Sequence, residues 1–270
     1  PGNVLGDLIR CDRFPVQHLH QIYRQGEGSL IVKNAHRLNA GELPDLRRPP
    51  ADAELRDFYW LEQEDETDAL QTILRLFTKR IPERFDLDPA TDIQVLTPMN
   101  RGVCGTHNLN AELKQAVNPT RANEDVITLG NMRLSRGDRV MQIVNNYDLK
   151  VFNGDQGTIL QVDAKQRRLR VMFDSGEAAY TAEQLDQLRL AYAVTIHKSQ
   201  GSEFPAVIVP LLTSHYVMLQ RKLVYTAMTR ASKLLVLLGS RRALALAASN
   251  RQRRQRYTQL AERLQQEGGT

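Results

Sequence analysis

Apolar residues follow two different periods along the chain. In residues 29–41, Leu30, Ile31, Ala35 and Leu38 recur at helical spacing behind Ser29, which can cap the first turn, and Gly41 ends the pattern. Apolar runs at 58–61, 206–209 and 234–238, and a strand over 92–97 stopped by Pro98, are bounded by polar or turn-forming residues, with helical segments between them. Strands alternating with helices in this way predict a parallel sheet covered on both faces. The acidic run 62–68 starts a helix expected to reach Phe77, its negative charge suiting a helix N-terminus, and 109–113 begins another. Residues 42–57, with Pro44, Pro49 and Pro50, read as a loop.

Between about Ser135 and Leu190 the period drops to two. Residues 138–144, 156–162 and 169–173 alternate as short strands, separated by turns at 153–155, 163–167 and 174–177. Hairpins spaced this closely suit a small twisted barrel rather than more of the parallel sheet.

Two stretches carry the chemistry. Residues 192–204, Tyr-Ala-Val-Thr-Ile-His-Lys-Ser-Gln-Gly-Ser-Glu-Phe, read as a β-branched strand ending in a donor-rich polar loop at Gly201. Residues 224–231, Val-Tyr-Thr-Ala-Met-Thr-Arg-Ala, read as a helix presenting Arg230 near its end. Polar loops at the ends of strands are where α/β proteins bind ligands.

In this order and at this separation, the two stretches resemble motifs V and VI of superfamily 1 helicases, most closely the RecD/TraA branch. The segment from Thr97, Thr-Pro-Met-Asn-Arg-Gly-Val-Cys-Gly, is similar to the family's strand-end loop before a Leu-Asn helix, although Val103-Cys104 departs from it. Tyr23-Arg24-Gln25 resembles the entry to motif IV, and 135–190 the SH3-like insertion of RecD-type helicases. That likeness implies a RecA-like second motor domain over 21–134 and 191–250, a barrel over 135–190, the end of a first motor domain over 1–20 and a helical tail over 251–270. The opening Pro-Gly-Asn-Val-Leu resembles a stretch just past motif III, so the chain is expected to be cut from a longer protein.

The resemblance also assigns roles. Arg24 and Arg230 would be arginine fingers at an ATP–magnesium site shared with the protein's own N-terminal motor domain, and Gln200, Gly201 and Glu203 would face the nucleotide. Thr97, Pro98, Arg101, Thr195, His197 and Lys198 would face single-stranded DNA, translocated 5′ to 3′. Other recombination or repair subunits are further expected partners. No glycine here is followed by lysine, so the chain contains no phosphate-cradling Gly-Lys-[Ser/Thr] loop and is expected to be inactive alone as an ATPase.

Composition alters this little. A net charge of +5 and a pI near 9.3 are compatible with a polyanionic partner without requiring one. Cys11 and Cys104, far apart in sequence, make a disulfide framework or zinc site unexpected, and a cytoplasmic location follows as the default. On the residues alone two other readings stay open: a nucleic-acid-binding module with no motor role, and a peptide-binding adaptor built on the barrel.

Overall fold

The computed structural model describes residues 4–17, 28–47, 50, 55–250 and 259–266. Arg24 and the tail arginines Arg251, Arg253, Arg254 and Arg256 lie outside the described residues. The chain divides into two compact units, residues 1–26 with 251–270, and residues 27–250. Among the described residues no helix is long and apolar enough to cross a membrane.

In the first unit, helix α1 (Val4–Arg10) pairs its own Arg10 with the buried Asp7. The Arg13 guanidinium donates to the carbonyl of Gln265.

The second unit begins with α2 (Leu30–Ala40), β1 (Phe58–Glu62), α3 (Glu66–Arg75), a π-helical turn (Leu76–Arg80) and α4 (Ile81–Phe85). Next come β2 (Ile93–Thr97), α5 (Thr106–Val117) and the hairpin β3 (Ile127–Leu129) and β4 (Met132–Leu134). The small antiparallel strands are β5 (Arg139–Gln142), β6 (Gln156–Asp163), β7 (Arg168–Phe173), β8 (Gly176–Tyr180) and β9 (Leu188–Leu190). The chain then returns through β10 (Ala193–Thr195), β11 (Phe204–Leu211), α6 (Arg221–Met228), β12 (Ala231–Gly239) and α7 (Arg241–Ser249). Helix α8 (Leu260–Gln266) belongs to the first unit.

Five strands form a wholly parallel sheet in the order β1-β12-β11-β2-β10. Its central strands are buried along nearly their whole length, which is why β11 and β12 read as apolar runs rather than alternating ones, while β2 carries the buried polar Gln94 and Thr97. Helices α2, α6 and α7 cover one face with Ile31, Leu38, Val224 and Leu244, and α3 and α5 cover the other with Leu70, Ile73, Leu109 and Leu113. This is a RecA-like domain. The Ser29 hydroxyl accepts from Val32 N–H, and Gly41 takes φ 96° at the other end of α2, so the expected caps form.

A second sheet, antiparallel in the order β8-β7-β6-β5-β9, forms the SH3-like insertion between α5 and β10. Polar side chains seat it on the parallel sheet. Buried Lys114 of α5 meets buried Asp138 at 2.5 Å, and Asp138 also accepts from Asn118 and from the Tyr192 hydroxyl. Arg139 donates to the Ile93 carbonyl and to Gln156, and its guanidinium lies 5.8 Å from the Phe204 ring centroid.

Several sequence expectations need correcting. The strand expected from Tyr192 is only three residues long, because Ile196–Ser199 close into a 3₁₀ turn. The helix begun by the acidic run continues past Phe77 as a π turn and α4, and Pro82 sits harmlessly in α4's first turn. Gly176 and Glu177, placed in a turn, open β8. The hairpin β3–β4 has strands of three residues each, too short for alternation to mark.

Candidate nucleotide and nucleic-acid surfaces

Three parallel strands place the segment 195–204. Thr195 lies level with Thr97 on β2, whereas Ala206 lies level with Ile93. The chain therefore leaves β10 at the C-terminal edge of the sheet and enters β11 roughly 13 Å lower, near the N-terminal edge. Ile196 and Ser199 are buried beneath α6 on the way, and His197, Lys198, Gln200, Gly201 and Glu203 stay exposed. One short crossover thus joins the two edges.

At the N-terminal edge, Arg230 follows α6 by two residues. Its Nη1 donates to the Ser202 carbonyl at 2.9 Å, its Nε donates to Thr226 O, and its own carbonyl accepts from Phe204 N–H at 2.9 Å. Gly201, at φ 93°, occupies a conformation that disfavours a side chain, and a Cβ there would have no atom within 4 Å. The half-buried guanidinium and an open glycine therefore share one edge. This places Arg230 and the Gly201 loop at the N-terminal strand ends, not the C-terminal ends that parallel-sheet proteins usually use.

At the C-terminal edge a groove of about 840 Å³ runs between the end of the parallel sheet and the insertion. Thr195 and Lys198 line it from β10 and the 3₁₀ turn, Asn100 and His107 from the loop and helix after β2, Arg133 from β4, and Arg189 from β9. Desolvation and the nearby Arg189 lower the pKa of Lys198 below the ordinary lysine value. Asp186 is the one acidic side chain in the lining, so the groove is electropositive.

The loop after β2 is shaped by close contacts. Thr97 is fully buried and its hydroxyl donates to the Cys104 carbonyl at 2.7 Å. Thr106 bonds Asn100, and a Cβ on Gly105 would lie 2.4 Å from the Arg101 carbonyl oxygen, so glycine is required there. Pro98 is buried, while Arg101 is exposed outside the groove lining.

Of the residues singled out in the sequence, the groove brings together Thr195 and Lys198, and Thr97 stands beside Thr195 in register. Gln200, Gly201, Glu203 and Arg230 cluster with the other edge. His197 is exposed on the 3₁₀ turn but does not line the groove. Sequence reasoning missed Arg133, His107 and Arg189. The alternation of Leu188-Arg189-Leu190, with both leucines buried, was the available signal for Arg189.

The parallel α/β domain thus carries an arginine beside an open loop at one edge, an electropositive groove at the other and an SH3-like insertion. Residues 190–238 match the UvrD-like helicase C-terminal domain, and residues 109–173 the ATP-dependent RecD-like DNA helicase SH3 domain. The chain is 36% identical over 257 residues to an ATP-dependent RecD2 DNA helicase of Deinococcus radiodurans, covering 95% of this chain and 33% of that protein. Against the RecBCD enzyme subunit RecD of Mycobacterium tuberculosis it is 34% identical over 117 residues, 43% of this chain and 20% of the relative. Among solved structures, the Pif1 helicase from Candida albicans aligns with 92% of this chain and 59% of its own, at 17% identity and a TM-score of 0.49. The chain is thus similar over nearly its whole length to a RecD-type helicase, and it carries matches to a UvrD-like helicase C-terminal domain and a RecD-like helicase SH3 domain. It spans a third or less of the length of the two curated relatives described above.

Proposed function

We propose that this chain is the second motor half of an ATP-dependent DNA helicase, supplying arginines to an interdomain ATP–magnesium site and part of the track for single-stranded DNA. The observation that carries this reading is the crossover 195–204, which links the groove at one edge of the sheet to the Arg230 edge at the other. ATP bound with magnesium supplies the hydrolysis that drives movement. This chain's part is to place cationic donors: Arg230 is held by the Ser202 and Thr226 carbonyls, which fixes the guanidinium plane. Gly201 leaves room for close approach, and exposed Gln200 and Glu203 beside it offer polar contacts to a nucleotide. Arg24 is proposed as a second finger on the family resemblance alone. At the other edge, Lys198, Arg189 and Arg133 would neutralise phosphates, while Thr195, beside the loop built on Thr97, Pro98 and Arg101, would guide the strand.

The 5′ to 3′ polarity rests on the RecD resemblance, as does association with other recombination or repair subunits. The phosphate-cradling loop and magnesium carboxylate would come from the protein's own N-terminal motor domain, so this chain alone is expected to bind strand weakly without turnover. Single-strand-stimulated ATP hydrolysis, measured on this chain and on the same chain joined to its upstream motor domain, tests this. Activity confined to the joined protein and lost on Arg24→Ala or Arg230→Ala is expected. Turnover by this chain alone would overturn the division of labour.

A further inference from the structure

At the opposite end of the parallel sheet from the groove, β1 is an edge strand: among the described residues only β12 pairs with it. The ladder fixes which way its main chain faces. Leu235 N–H donates to the Asp57 carbonyl and Gln63 N–H donates to the Gly239 carbonyl, so the odd-numbered residues of β1 turn their peptide groups toward β12. The peptide groups of Phe58, Trp60 and Glu62 therefore face the open side. A cavity of about 890 Å³ lies along that side, flanked by the loop after α2 on one face of the sheet and by α3 with its π turn on the other.

Its lining is rich in arginine. Arg37 and Arg47 enter from the α2 side, Arg75 and Arg80 from the α3 side and Arg241 from the start of α7. The lining's two carboxylates are already engaged, Asp45 with Arg47 at 2.6 Å and Glu62 with Arg241 at 3.1 Å. Arg75 and Arg80 are exposed and carry no ion pair among the described residues. Trp60 also lines the cavity, and its buried indole N–H finds no hydrogen-bond partner among the described residues. An orphaned buried donor is costly, and an acceptor would relieve it.

An unpaired strand edge, surplus guanidinium groups and an orphaned donor share one requirement, a ligand that is extended, rich in acceptors and negatively charged. We propose that the open edge of β1 is a docking site for an extended acidic peptide segment of a partner protein, which adds a sixth strand to the sheet. Main-chain hydrogen bonds to Trp60 and Glu62 would set its register, and carboxylates at alternate positions, which share one face of an added strand, would meet Arg75 and Arg80. Charges that merely guard an edge against aggregation commonly sit on the strand itself. Here the strand reads Phe-Tyr-Trp-Leu-Glu and the arginines come from the flanking layers, leaving the edge open between them. The site is independent of the DNA groove, which lies beyond β10.

Trp60 is the chain's single tryptophan, so its fluorescence reports on this edge. The probe is an end-blocked octapeptide alternating glutamate and valine, titrated into this chain. The expected result is a saturable change in Trp60 emission that weakens at least tenfold in the Arg75→Glu/Arg80→Glu double variant, whose sites are exposed on a helix surface. The same peptide N-methylated at alternate residues, tested on the unaltered chain, should lose binding because it cannot complete the ladder. Equal binding by a lysine–valine octapeptide, retained binding by the N-methylated one, or no emission change with the acidic one would each overturn the proposal. So would an oligothymidylate that displaces the acidic peptide in an Arg75- and Arg80-dependent way, which would assign the edge to nucleic acid.

Discussion

Arg230 and Ser202 are joined by a 2.9 Å hydrogen bond from guanidinium Nη1 to the main-chain carbonyl, while Phe204 N–H donates back to the Arg230 carbonyl. The arginine after α6 is thereby tied to the loop that leads back to Lys198 and Thr195. The 3₁₀ turn between the two edges packs beneath α6. One crossover of eight residues between β10 and β11 joins the two edges.

Arg230→Ala should remove the cation from the proposed nucleotide edge. In the protein that includes both motor domains, strand-stimulated ATP hydrolysis is expected to fall by roughly 10³-fold or more, the scale on which an arginine finger acts. Arg230→Lys should recover little, because an ammonium cannot span the Ser202 and Thr226 carbonyls and a phosphate oxygen with one planar fork. Full activity in Arg230→Ala would show that the residue is only a loop anchor.

Lys198 and Arg189 face the same groove, so single-stranded DNA binding should depend on both. Lys198→Ala is expected to weaken binding at low salt and to reduce the slope of log affinity against log salt by about 0.7, the contribution of one phosphate contact on a single strand. Because desolvation and Arg189 lower the Lys198 pKa, its share of binding should begin to fade at a lower pH than for an ordinary lysine. Fluorescence anisotropy with a labelled oligothymidylate across salt and pH measures all three effects. An unchanged slope in Lys198→Ala would remove that residue from the track.

What could be read from the sequence follows from burial. Buried strands produced apolar runs, so β11 and β12 were evident, the apolar edge strand β1 and the proline-stopped β2 with its buried Gln94 were also readable, and Ser29 and Gly41 marked both ends of α2. The three-residue strands β3 and β4 carry too few positions for a period, and the pairing of β9 and β10 is decided by neighbours distant in sequence. The site divides in the same way. Thr195 and Lys198 were legible from their motif, but Arg189 and Arg133 join them only because the insertion folds back over β10. The polar seat of that insertion was invisible for a similar reason, since Lys114 and Asp138 are 24 residues apart in sequence and look like surface charges.

That seat gives a stability prediction. Asp138 accepts from Lys114, Ser135, Asn118 and Tyr192, and both it and Lys114 are buried. Lys114→Met or Asp138→Asn alone should each cost about 3–5 kcal/mol, because the remaining charge is left buried without its partner. The double variant should lose clearly less than the sum of the two, which a urea-denaturation double-mutant cycle would reveal. Additive losses would mean that the two charges do not stabilise each other.

Cys104 permits a prediction with a defined pH window. Its thiol is buried beside the Glu66 carbonyl, and burial pushes its pKa from 9.0 up to about 12, with Glu66 adding to the rise. The folded state therefore keeps its proton where the unfolded chain has released it. The associated stability is fully present below pH 9.0 and is lost as pH rises from there toward 12. Relative to Cys104→Ser, whose hydroxyl does not titrate in this range, the unaltered protein should lose on the order of 2 kcal/mol more between pH 8.5 and pH 11, since each pH unit above the unfolded value costs about 1.4 kcal/mol. Tyr180 and Tyr192, whose pKa values burial also raises, are common to both proteins and cancel in the comparison. Parallel stability curves for the two proteins across that range would mean that the thiol is less enclosed in solution than its packing against Glu66 implies.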